Sequence, residues 1–306
     1  MTEPAVKYNF SKQKAANYKP PTTNYKLFIM LSFPNSKINL GLTILRKRKD
    51  GFHDLETVFY PIVLKDILEI VTAANTNVAV SYSHSGFEIE GLNENNLCIK
   101  AYDLLKKDFP SIPAIKLHLH KAIPMGAGLG GGSADAAFTL QLLNEMFQLS
   151  VPVDQLMNYA ATLGSDAPFF MINKPCYATG RGEVLEEIDL NLSAYRIILV
   201  NPGIHINTAQ AFSQITPSLP ERSIKEIIQQ PVSAWKDMLK NDFEKPVFET
   251  YPAIKNIKEE LYRQGALYAA MSGSGSTVFG IFETAPPVSL FLNTNYFIRI
   301  ITLPRP

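Results

Sequence analysis

Hydrophobic and polar positions alternate along several stretches of the first 120 residues. In residues 36–45 (SKINLGLTIL), the even positions from Ile38 to Ile44 are aliphatic, and the odd positions from Lys37 to Thr43 are polar or glycine. This period of two predicts a strand that is buried on one face. The charged stretch that follows ends in Asp-Gly, which predicts a hairpin turn. Further strands are predicted at 55–63, 66–72, 77–83, 87–90 and 114–120.

A helical spacing of apolar residues is more common in the middle and at the end of the chain. Pro152 near the start and Gly164 at the end of one such stretch are typical helix boundaries. Helices are predicted over 94–109, 134–147, 151–164, 222–242 and 253–264, and strands over 195–203, 266–270 and 277–282. Because strands dominate early and alternate with helices later, we expect an α+β fold in two lobes, with a boundary near 190–200.

Composition narrows the function classes only a little. The 306 residues are 46% hydrophobic and 19% charged, a length and composition that suit two globular domains. The formal net charge is +1, and residues 1–29 hold five lysines and one glutamate. The remainder from Met30 onward therefore carries −3, which argues against RNA, other nucleic acids or an anionic membrane as a partner.

The first 29 residues differ from the rest, with few large aliphatic side chains and the pair Pro20-Pro21. We expect a disordered extension, or translation begun upstream of a native start at Met30. The apolar stretch 25–33 is short for a secretory signal, and no run approaches the roughly 18 apolar residues of a membrane-spanning helix. The two cysteines stand outside any Cys/His cluster, which disfavours a disulfide or zinc scaffold and predicts a cytoplasmic protein.

The most informative stretch is 124–137 (PMGAGLGGGSADAA), which holds five glycines between positions 126 and 132 and runs into an alanine-rich helix. Bare glycine backbone lets a ligand approach the N–H groups, and the helix N-terminus adds about half a positive charge. Together these features predict a phosphate cradle. A flexible connection or a tight packing turn is the plainer alternative.

Three common glycine-loop folds do not fit this stretch. A dinucleotide fold needs a strand that leads directly into the glycines, whereas KAIPM intervenes here and another helix follows. A Walker A loop needs Lys-Ser/Thr after the glycines, and a protein kinase needs HRD and DFG sequences. None of these is present.

The loop does resemble that of the GHMP superfamily of small-molecule kinases, which groups galactokinase, homoserine kinase and mevalonate kinase. Within it, the chain is similar to the family of 4-diphosphocytidyl-2-C-methyl-D-erythritol kinases over most of 30–282. The motifs that carry this resemblance are FPNSKINLGL (33–42), DGFHDLETVF (50–59), NNLCIKA (95–101), TLGSDAPFF (162–170), NPG…NT (201–208), NDFEKPVF (241–248) and MSGSGSTVFG (271–280).

The resemblance implies a two-lobed fold, with a ribosomal-S5-like ATP-binding and catalytic lobe at 30–192 and a ferredoxin-like lobe at 193–306. It implies ATP and Mg²⁺ as cofactors and a small-molecule substrate that carries cytidine diphosphate. The expected reaction transfers the γ-phosphoryl group to the 2-hydroxyl of cytidine-diphosphate-linked methylerythritol, in non-mevalonate isoprenoid biosynthesis. The assembly is expected to be a monomer or a homodimer.

The resemblance also implies individual site residues. Asp166 is the expected catalytic aspartate, with Lys37 as its basic companion. ATP is expected to bind at Pro124, Met125, Gly126, Ala127, Gly128, Leu129, Gly130, Gly131, Gly132, Ser133 and Ala134, and at Asn96 and Lys121. Ser133 is also a candidate Mg²⁺ ligand. The substrate is expected to bind at Asn39, Phe52, His53, Thr208 and Phe212. Gly273, Ser274 and Gly275 are expected to form a phosphate-side lid.

Without the resemblance, plainer interpretations of these residues stay open. Lysines on an amphipathic strand or at a strand end are usually solvated, and an aspartate in a turn often caps a helix. Ser133 could be the N-cap of the helix at 134–147. The aromatic residues could be hairpin or helix packing, and the loop at 271–276 a tight connection between strands. At position 52 the family often has tyrosine, so this chain lacks any hydrogen bond from a phenol there.

Two rival functions can be stated from the sequence. Another GHMP kinase, of the homoserine or mevalonate type, would not need the DGFH or NDFEKPVF motifs. A catalytically inactive nucleotide-binding protein would be expected to lose Lys37, Asp166 or the glycines, and the chain retains all of them.

Overall fold

The computed structural model describes residues 28–73, 78–89, 91, 95–285, 291 and 294–303. Most of the predicted N-terminal extension, residues 1–27, lies outside this part. The strands are β1 (Ile29–Ser32), β2 (Asn35–Lys47), β3 (His53–Lys65), β4 (Ile67–Thr72), β5 (Val80–Gly86), β6 (Ile115–Lys121), β7 (Cys176–Thr179), β8 (Val184–Glu187), β9 (Arg196–Asn201), β10 (Tyr268–Met271), β11 (Val278–Phe282) and β12 (Phe297–Thr302). The helices are α1 (Leu97–Asp108), α2 (Gly131–Met146), α3 (Val153–Leu163), α4 (Phe169–Ile172), α5 (Thr208–Ser213), α6 (Ile224–Ile227), α7 (Trp235–Met238), α8 (Glu244–Thr250) and α9 (Pro252–Arg263).

The first sheet has the order β1-β4-β6-β5 and is covered on one face by α1, α2 and α3. Its core-facing residues alternate as the sequence predicts, so Ile115, Leu117 and Leu119 of β6 are buried together with Leu140 of α2. Burial of each such side chain stabilises the fold by about 1.5–3 kcal/mol. This packing holds the end of β6 and the start of α2 together, and the glycine loop is the segment that joins them.

The second sheet, β2-β3-β7-β8, lies at the centre of the molecule. One face packs on α2 and α4 through Phe59 and Phe169. The other face packs on the third sheet, where Ile38 and Leu40 contact the layer that contains Leu199. The prediction that β2 is buried on one face only was wrong, because Asn35 to Leu42 are buried on both faces. The polar face is buried as well, because α2 and α4 pack against it beside the candidate site described below.

A bulge at Gly41 changes which residues share a face of β2. Leu40 pairs with Val58 of β3, and Leu42 already pairs with Thr57, so Gly41 is an extra residue in the ladder. Gly41 has φ +70°, a conformation that suits glycine. The prediction that Leu42 shares a face with Leu40 was therefore wrong: Leu42 lies on the face of Lys37 and Asn39.

The third sheet, β10-β11-β9-β12, is antiparallel throughout. Its second face is covered by α8 and α9 through residues such as Val247, Ile254 and Leu261. The α+β class is confirmed, with helices grouped on the outer faces of the sheets. None of the helices in the described part of the chain has the length and apolar character that crossing a membrane requires.

Several predicted elements differ from the structure. Residues 87–89 form no strand, and residue 90 lies outside the described part. The helix predicted at 222–242 is broken into α6, a 3₁₀ turn at Val232–Ala234 and α7, because Pro231 cannot continue a helix. The helix predicted at 134–147 starts earlier, at Gly131.

Candidate active site

A cavity of about 730 Å³ lies against the polar face of β2 and β3, the glycine loop and α5. Its walls combine apolar and polar side chains, as small-molecule sites commonly do. The sequence-predicted residues that line it are Lys37, Asn39, Phe52, His53, Gly128, Gly130, Asp166, Thr208, Phe212, Gly273 and Ser274. The sequence analysis did not single out Thr57 and Arg181, which also line this cavity.

Lys37 and Asp166 meet in this cavity. The Lys37 ammonium lies 3.2 Å from Asp166 Oδ2, and it donates to Asn39 Oδ1 at 2.5 Å and to the Gly128 carbonyl at 3.1 Å. Its side chain is 3% exposed, whereas that of Asp166 is 33% exposed. The pair therefore consists of a fixed, buried cation and a carboxylate that a bound molecule can reach.

The backbone places these two residues from distant parts of the chain. Lys37 projects from β2, and the turn that follows α3 carries Asp166. Gly182, in the turn between β7 and β8, has φ +114° and lies beside Asp166, since a Cβ there would stand 3.8 Å from Asp166 Oδ1. A Cβ at this position would be in ordinary contact with the carboxylate, and the positive φ is what favours glycine there.

The glycine loop runs directly past Lys37. Gly128 has φ +75°, and a Cβ on it would stand 1.9 Å from the carbonyl oxygen of Ser272, so only glycine fits there. Gly130 is the N-cap of α2 in the left-handed conformation and provides no side-chain cap. The first N–H groups of a helix have no partner within it, so those of α2 are left for an anion.

The side chains in the rest of the predicted ATP segment have different surroundings. Ala127 and Leu129 are buried and anchor the loop in the core between the second and third sheets. Ala134 is buried against Phe169. Met125 is 47% exposed, and Pro124 is half-buried. Because α2 starts at Gly131, Ser133 lies in its first turn, and the alternative that Ser133 is the N-cap is wrong.

Asn96 and Lys121 lie away from the large cavity, at a second one of about 130 Å³ that also touches Met125 and Gly132. Asn96 caps α1 by accepting a hydrogen bond from the Cys98 N–H at 2.8 Å. The alternative that Lys121 is a surface residue is wrong, because Lys121 is fully buried between two carboxylates.

Those carboxylates belong to Asp66 and Asp135. Asp66 also accepts from the N–H groups of Ala122 and Ile123, where the loop begins. Burial would lower the pKa of Lys121, but the two carboxylates outweigh it and raise that pKa. Burial raises the pKa of Asp135 to about 7, against the opposing effect of Lys121.

The far end of the large cavity is aromatic. The His53 and Phe212 rings stack with centroids 4.9 Å apart at 15°, and Phe243 meets Phe212 edge-on at 4.8 Å. Phe52 is half-exposed, and the Arg181 guanidinium lies 4.8 Å from its ring centroid. Burial, and after it the charge of Lys47, lower the pKa of His53, so its imidazole is neutral near pH 7.

The second glycine loop, at 271–276, is held against the first. Ser272 donates to the Gly128 carbonyl at 2.8 Å, and Asn241 donates to the carbonyls of Met271 and Gly273. Ser274 is 3.0 Å from the Thr208 hydroxyl. A Cβ on Gly275 would stand 2.6 Å from Met271 Sδ. This segment is thus a hydrogen-bonded wall of the cavity, and its role as a phosphate-side lid stays a prediction from the sequence.

Comparison with known proteins gives a consistent result. The profile "GHMP kinases N terminal domain" matches residues 96–174, and "GHMP kinases C terminal" matches residues 223–296. A 4-diphosphocytidyl-2-C-methyl-D-erythritol kinase of Bacteroides fragilis is 54% identical over 254 residues, 83% of this chain and 92% of that protein. The chain belongs to the 4-diphosphocytidyl-2-C-methyl-D-erythritol kinase family.

Solved structures agree with this membership. A crystal structure of 4-(cytidine 5'-diphospho)-2C-methyl-D-erythritol kinase superposes with a TM-score of 0.75 at 27% identity, over 89% of this chain and 99% of that one. Mevalonate kinase of Methanococcus jannaschii superposes with a TM-score of 0.66 at 12% identity, over 92% and 100%, which shows a shared fold alone. As a member of the 4-diphosphocytidyl-2-C-methyl-D-erythritol kinase family, the protein is a small-molecule kinase with the two-lobed GHMP fold, and kinases of this type use ATP.

The members of this kinase site that the sequence analysis missed had weak signals. Arg181 lies between two glycines in the stretch TGRGE, which reads as an ordinary turn. Thr57 looked like one β-branched residue among several on a strand. Gly41 could have pointed to Thr57. An isolated glycine in a strand pattern indicates a β-bulge, and a bulge changes which groups of the neighbouring strand it faces.

Proposed function

We propose that the protein catalyses ATP-dependent phosphorylation of the 2-hydroxyl of 4-(cytidine 5'-diphospho)-2-C-methyl-D-erythritol, a step in the supply of isoprenoid precursors. The observation that carries the proposal is the contact between Lys37 and Asp166 at the mouth of the glycine loop. Family membership supports the choice of acceptor. A homoserine kinase and a mevalonate kinase that superpose on this chain share only the fold, at 13% and 12% identity.

Asp166 is the proposed proton acceptor. Its Oδ2 is paired with Lys37, and the side chain is 33% exposed and lines the cavity. A carboxylate there can accept the hydroxyl proton as the oxygen attacks the γ-phosphorus. Lys37 holds the carboxylate in place and lies within reach of the charge that develops on the transferred group.

The first turn of α2 and the glycine loop are the proposed triphosphate cradle. The uncapped N–H groups and the helix dipole favour a polyanion. Met125, Asn96 and Lys121 border the small cavity beside this turn, and we assign the adenine end of ATP to it. The wall formed by Gly273 and Ser274 closes the opposite side of the phosphate path.

Mg²⁺ is proposed as the metal cofactor. The described residues contain no group of three His, Cys, Asp or Glu side chains that could hold a metal ion. Mg²⁺ in phosphoryl-transfer sites is often bound by one or two protein oxygens plus substrate phosphates, so such a group is not required. The half-buried Ser133 hydroxyl, which makes no hydrogen bond within the described part of the chain, fits that limited role. With the phosphates, the ion would supply charge neutralisation.

Cytosine is assigned to the aromatic end of the large cavity. Phe212 and Phe52 offer faces on which a base can stack, and neutral His53 can hydrogen-bond its edge. In the structure His53 itself covers one face of Phe212, so the base must use another face or displace this ring. Asn39 and Thr208 are the proposed polar contacts nearer to the reacting hydroxyl.

The lobe boundaries are also part of the proposal. We place the catalytic lobe at 30–192 and the second lobe at 193–306, because β8 ends at Glu187 in the second sheet and β9 begins at Arg196 in the third. Cytoplasmic location and a monomeric or dimeric assembly stay predictions from the sequence.

A coupled ADP-release assay tests the function directly. We expect turnover with the cytidine-diphosphate methylerythritol and at least 100-fold lower kcat/KM with mevalonate or homoserine, since a base-binding site contributes about 1–3 kcal/mol per stacked ring and further hydrogen bonds. Equal or better turnover of a cytidine-free alcohol would overturn the assignment of the acceptor.

A further inference from the structure

Three side chains on the polar face of the second sheet form a chain of hydrogen bonds that ends on Lys37. The Thr57 hydroxyl donates to the Gly41 carbonyl at 2.5 Å. Asn39 Nδ2 donates to the Thr57 hydroxyl oxygen at 3.0 Å, and Lys37 donates to Asn39 Oδ1 at 2.5 Å. All three side chains are almost completely buried.

This chain of bonds has one possible polarity. The Gly41 carbonyl can only accept a hydrogen bond, so the Thr57 hydroxyl must donate its single proton to it. The Thr57 oxygen then has only lone pairs to offer, so Asn39 must turn its NH₂ toward Thr57. Asn39 Oδ1 consequently faces Lys37, which can only donate.

The polarity decides how Lys37 is held. An ammonium has three protons; the structure gives two of them the acceptors Asn39 Oδ1 and the Gly128 carbonyl, and the third side of the ammonium faces Asp166 Oδ2 in an ion pair at 3.2 Å. If the Asn39 amide were reversed, its NH₂ would face the ammonium, and two donors would oppose each other. Lys37 would then shift from Asp166, because a buried donor without an acceptor is costly.

The Gly41 bulge makes this arrangement available. Two residues of β2 oppose one residue of β3 here, which frees the Gly41 carbonyl from the regular ladder and brings it to Thr57. A side chain at Gly41 would be strained at φ +70° and would collide with Leu239 at 2.6 Å. The bulge therefore supplies a hydrogen-bond acceptor to the candidate site as well as allowing β2 to pack.

We propose that Thr57 is a positioning residue for phosphoryl transfer, which fixes the Asn39 amide so that Lys37 is held against Asp166. Thr57 is completely buried and acts through Asn39 and Lys37. The inference rests on the proposed function in one respect, namely that these two residues form the reaction centre.

The test compares Thr57→Val, which keeps the branched shape and loses the hydroxyl, with Thr57→Ser, which keeps the hydroxyl. We expect Thr57→Val to lower kcat about 10- to 100-fold, because small misplacements of catalytic groups cost this much, with KM for ATP changed less than about threefold. Thr57→Ser should recover most of the lost kcat.

Thr139→Val is the matched control. Thr139 is equally buried, and its hydroxyl also donates to a backbone carbonyl, that of Asp135, but it lies outside the large cavity. Its replacement should lower stability by a similar amount and leave kcat within about twofold of wild type. If Thr57→Val does not fold, as judged by near-ultraviolet circular dichroism, Thr57→Ala takes its place.

The outcomes separate this inference from the proposed function. Wild-type protein that does not phosphorylate the cytidine substrate would contradict the proposed function, and the Thr57 comparison would then use whichever alcohol supports ADP release. If the wild type is active and the kcat of Thr57→Val is within threefold of the wild-type kcat, only the inference about Thr57 is contradicted. A Thr57→Ser kcat as low as that of Thr57→Val also contradicts it, since the hydroxyl would then not be the important group.

Discussion

Two buried lysines lie on either side of the glycine loop, and their surroundings differ in one respect. A Cβ on Gly130 would stand 3.1 Å from Lys37 Cε, and a Cβ on Gly131 would stand 3.3 Å from Lys121 Nζ, so the loop passes between them. Lys37 pairs with a carboxylate that is 33% exposed, in a cavity of about 730 Å³. The carboxylates of Asp66 and Asp135 around Lys121 are at most 4% exposed.

This difference in the exposure of the partner carboxylates separates a catalytic role from a structural role for a buried lysine. A buried cation whose partner a substrate can reach is able to take part in proton and phosphoryl transfer. A buried cation whose partners are also buried holds elements together, in this case the start of the loop, the end of β6 and α2. Both lysines look alike in the sequence, since each lies in a stretch of alternating apolar and polar residues that predicts a strand.

The same substitution at both lysines tests this comparison, and the largest expected effect on rate is at Lys37. Lys37→Met should lower kcat by about 10²–10⁴, equivalent to roughly 3–5 kcal/mol of barrier. The free energy of unfolding should fall by no more than about 2 kcal/mol, because Asp166 can be hydrated. Steady-state kinetics and urea unfolding measure the two quantities. A wild-type kcat would remove Lys37 from the reaction centre.

Lys121→Met should show the opposite pattern. Loss of the cation leaves two enclosed carboxylates without a partner, which typically costs about 3–5 kcal/mol of stability. At a temperature where the variant is folded, kcat should fall by less than about tenfold, since Lys121 does not line the large cavity. A variant as stable as wild type would show that the triad of Lys121, Asp66 and Asp135 is not a structural element.

The pH dependence of stability tests the protonation of Asp135 within this triad. Burial raises the pKa of Asp135 from 3.8 to about 7, and Asp135 Oδ1 has no hydrogen-bond partner within the described part of the chain. Between about pH 4 and pH 7, Asp135 therefore holds its proton in the native state and loses it in the unfolded state. Asp135 consequently lowers the free energy of unfolding as the pH rises through this range. Asp135→Asn should gain stability relative to wild type over that range, as measured by unfolding at pH 5 and pH 8. A constant difference would contradict the assigned pKa.

The smallest effect is expected for a substitution of Phe52, at the aromatic end of the cavity. Phe52→Tyr keeps the ring that stacks with Arg181 and should change KM for the cytidine substrate less than about threefold. Phe52→Ala is its control and should raise that KM about 5- to 150-fold, because one stacking face is worth about 1–3 kcal/mol. Similar KM values in both variants would place the base elsewhere.

The sequence predicted the parts of this site that depend on motif chemistry. The glycine loop, the α+β class and the pairing of Lys37 with Asp166 were all expected, the last one through family resemblance. The alternation of β2 predicted that Leu42 shares a face with Leu40, and this prediction was wrong. The bulge at Gly41, which has a positive φ, places the residues after it on the opposite face of the sheet. The short strands β7, β8 and β12 were not predicted.

The burial of Lys121 could not be predicted from local pattern. Its partners lie 55 residues earlier and 14 residues later, and no local motif marks them. Lysine at a strand end is usually exposed, so only the packed structure shows the exception. Thr57 is similar, because its role depends on a carbonyl that the bulge of a neighbouring strand brings to it.

The central claim is that Asp166 acts on the chemical step at the glycine loop and contributes little to nucleotide binding. Its most direct test is a single-turnover measurement of phosphoryl transfer in Asp166→Asn preloaded with ATP. The account predicts an ATP Kd within about threefold of wild type and a transfer rate at least 100-fold lower. Transfer at the wild-type rate, or a variant that no longer binds ATP, would contradict it.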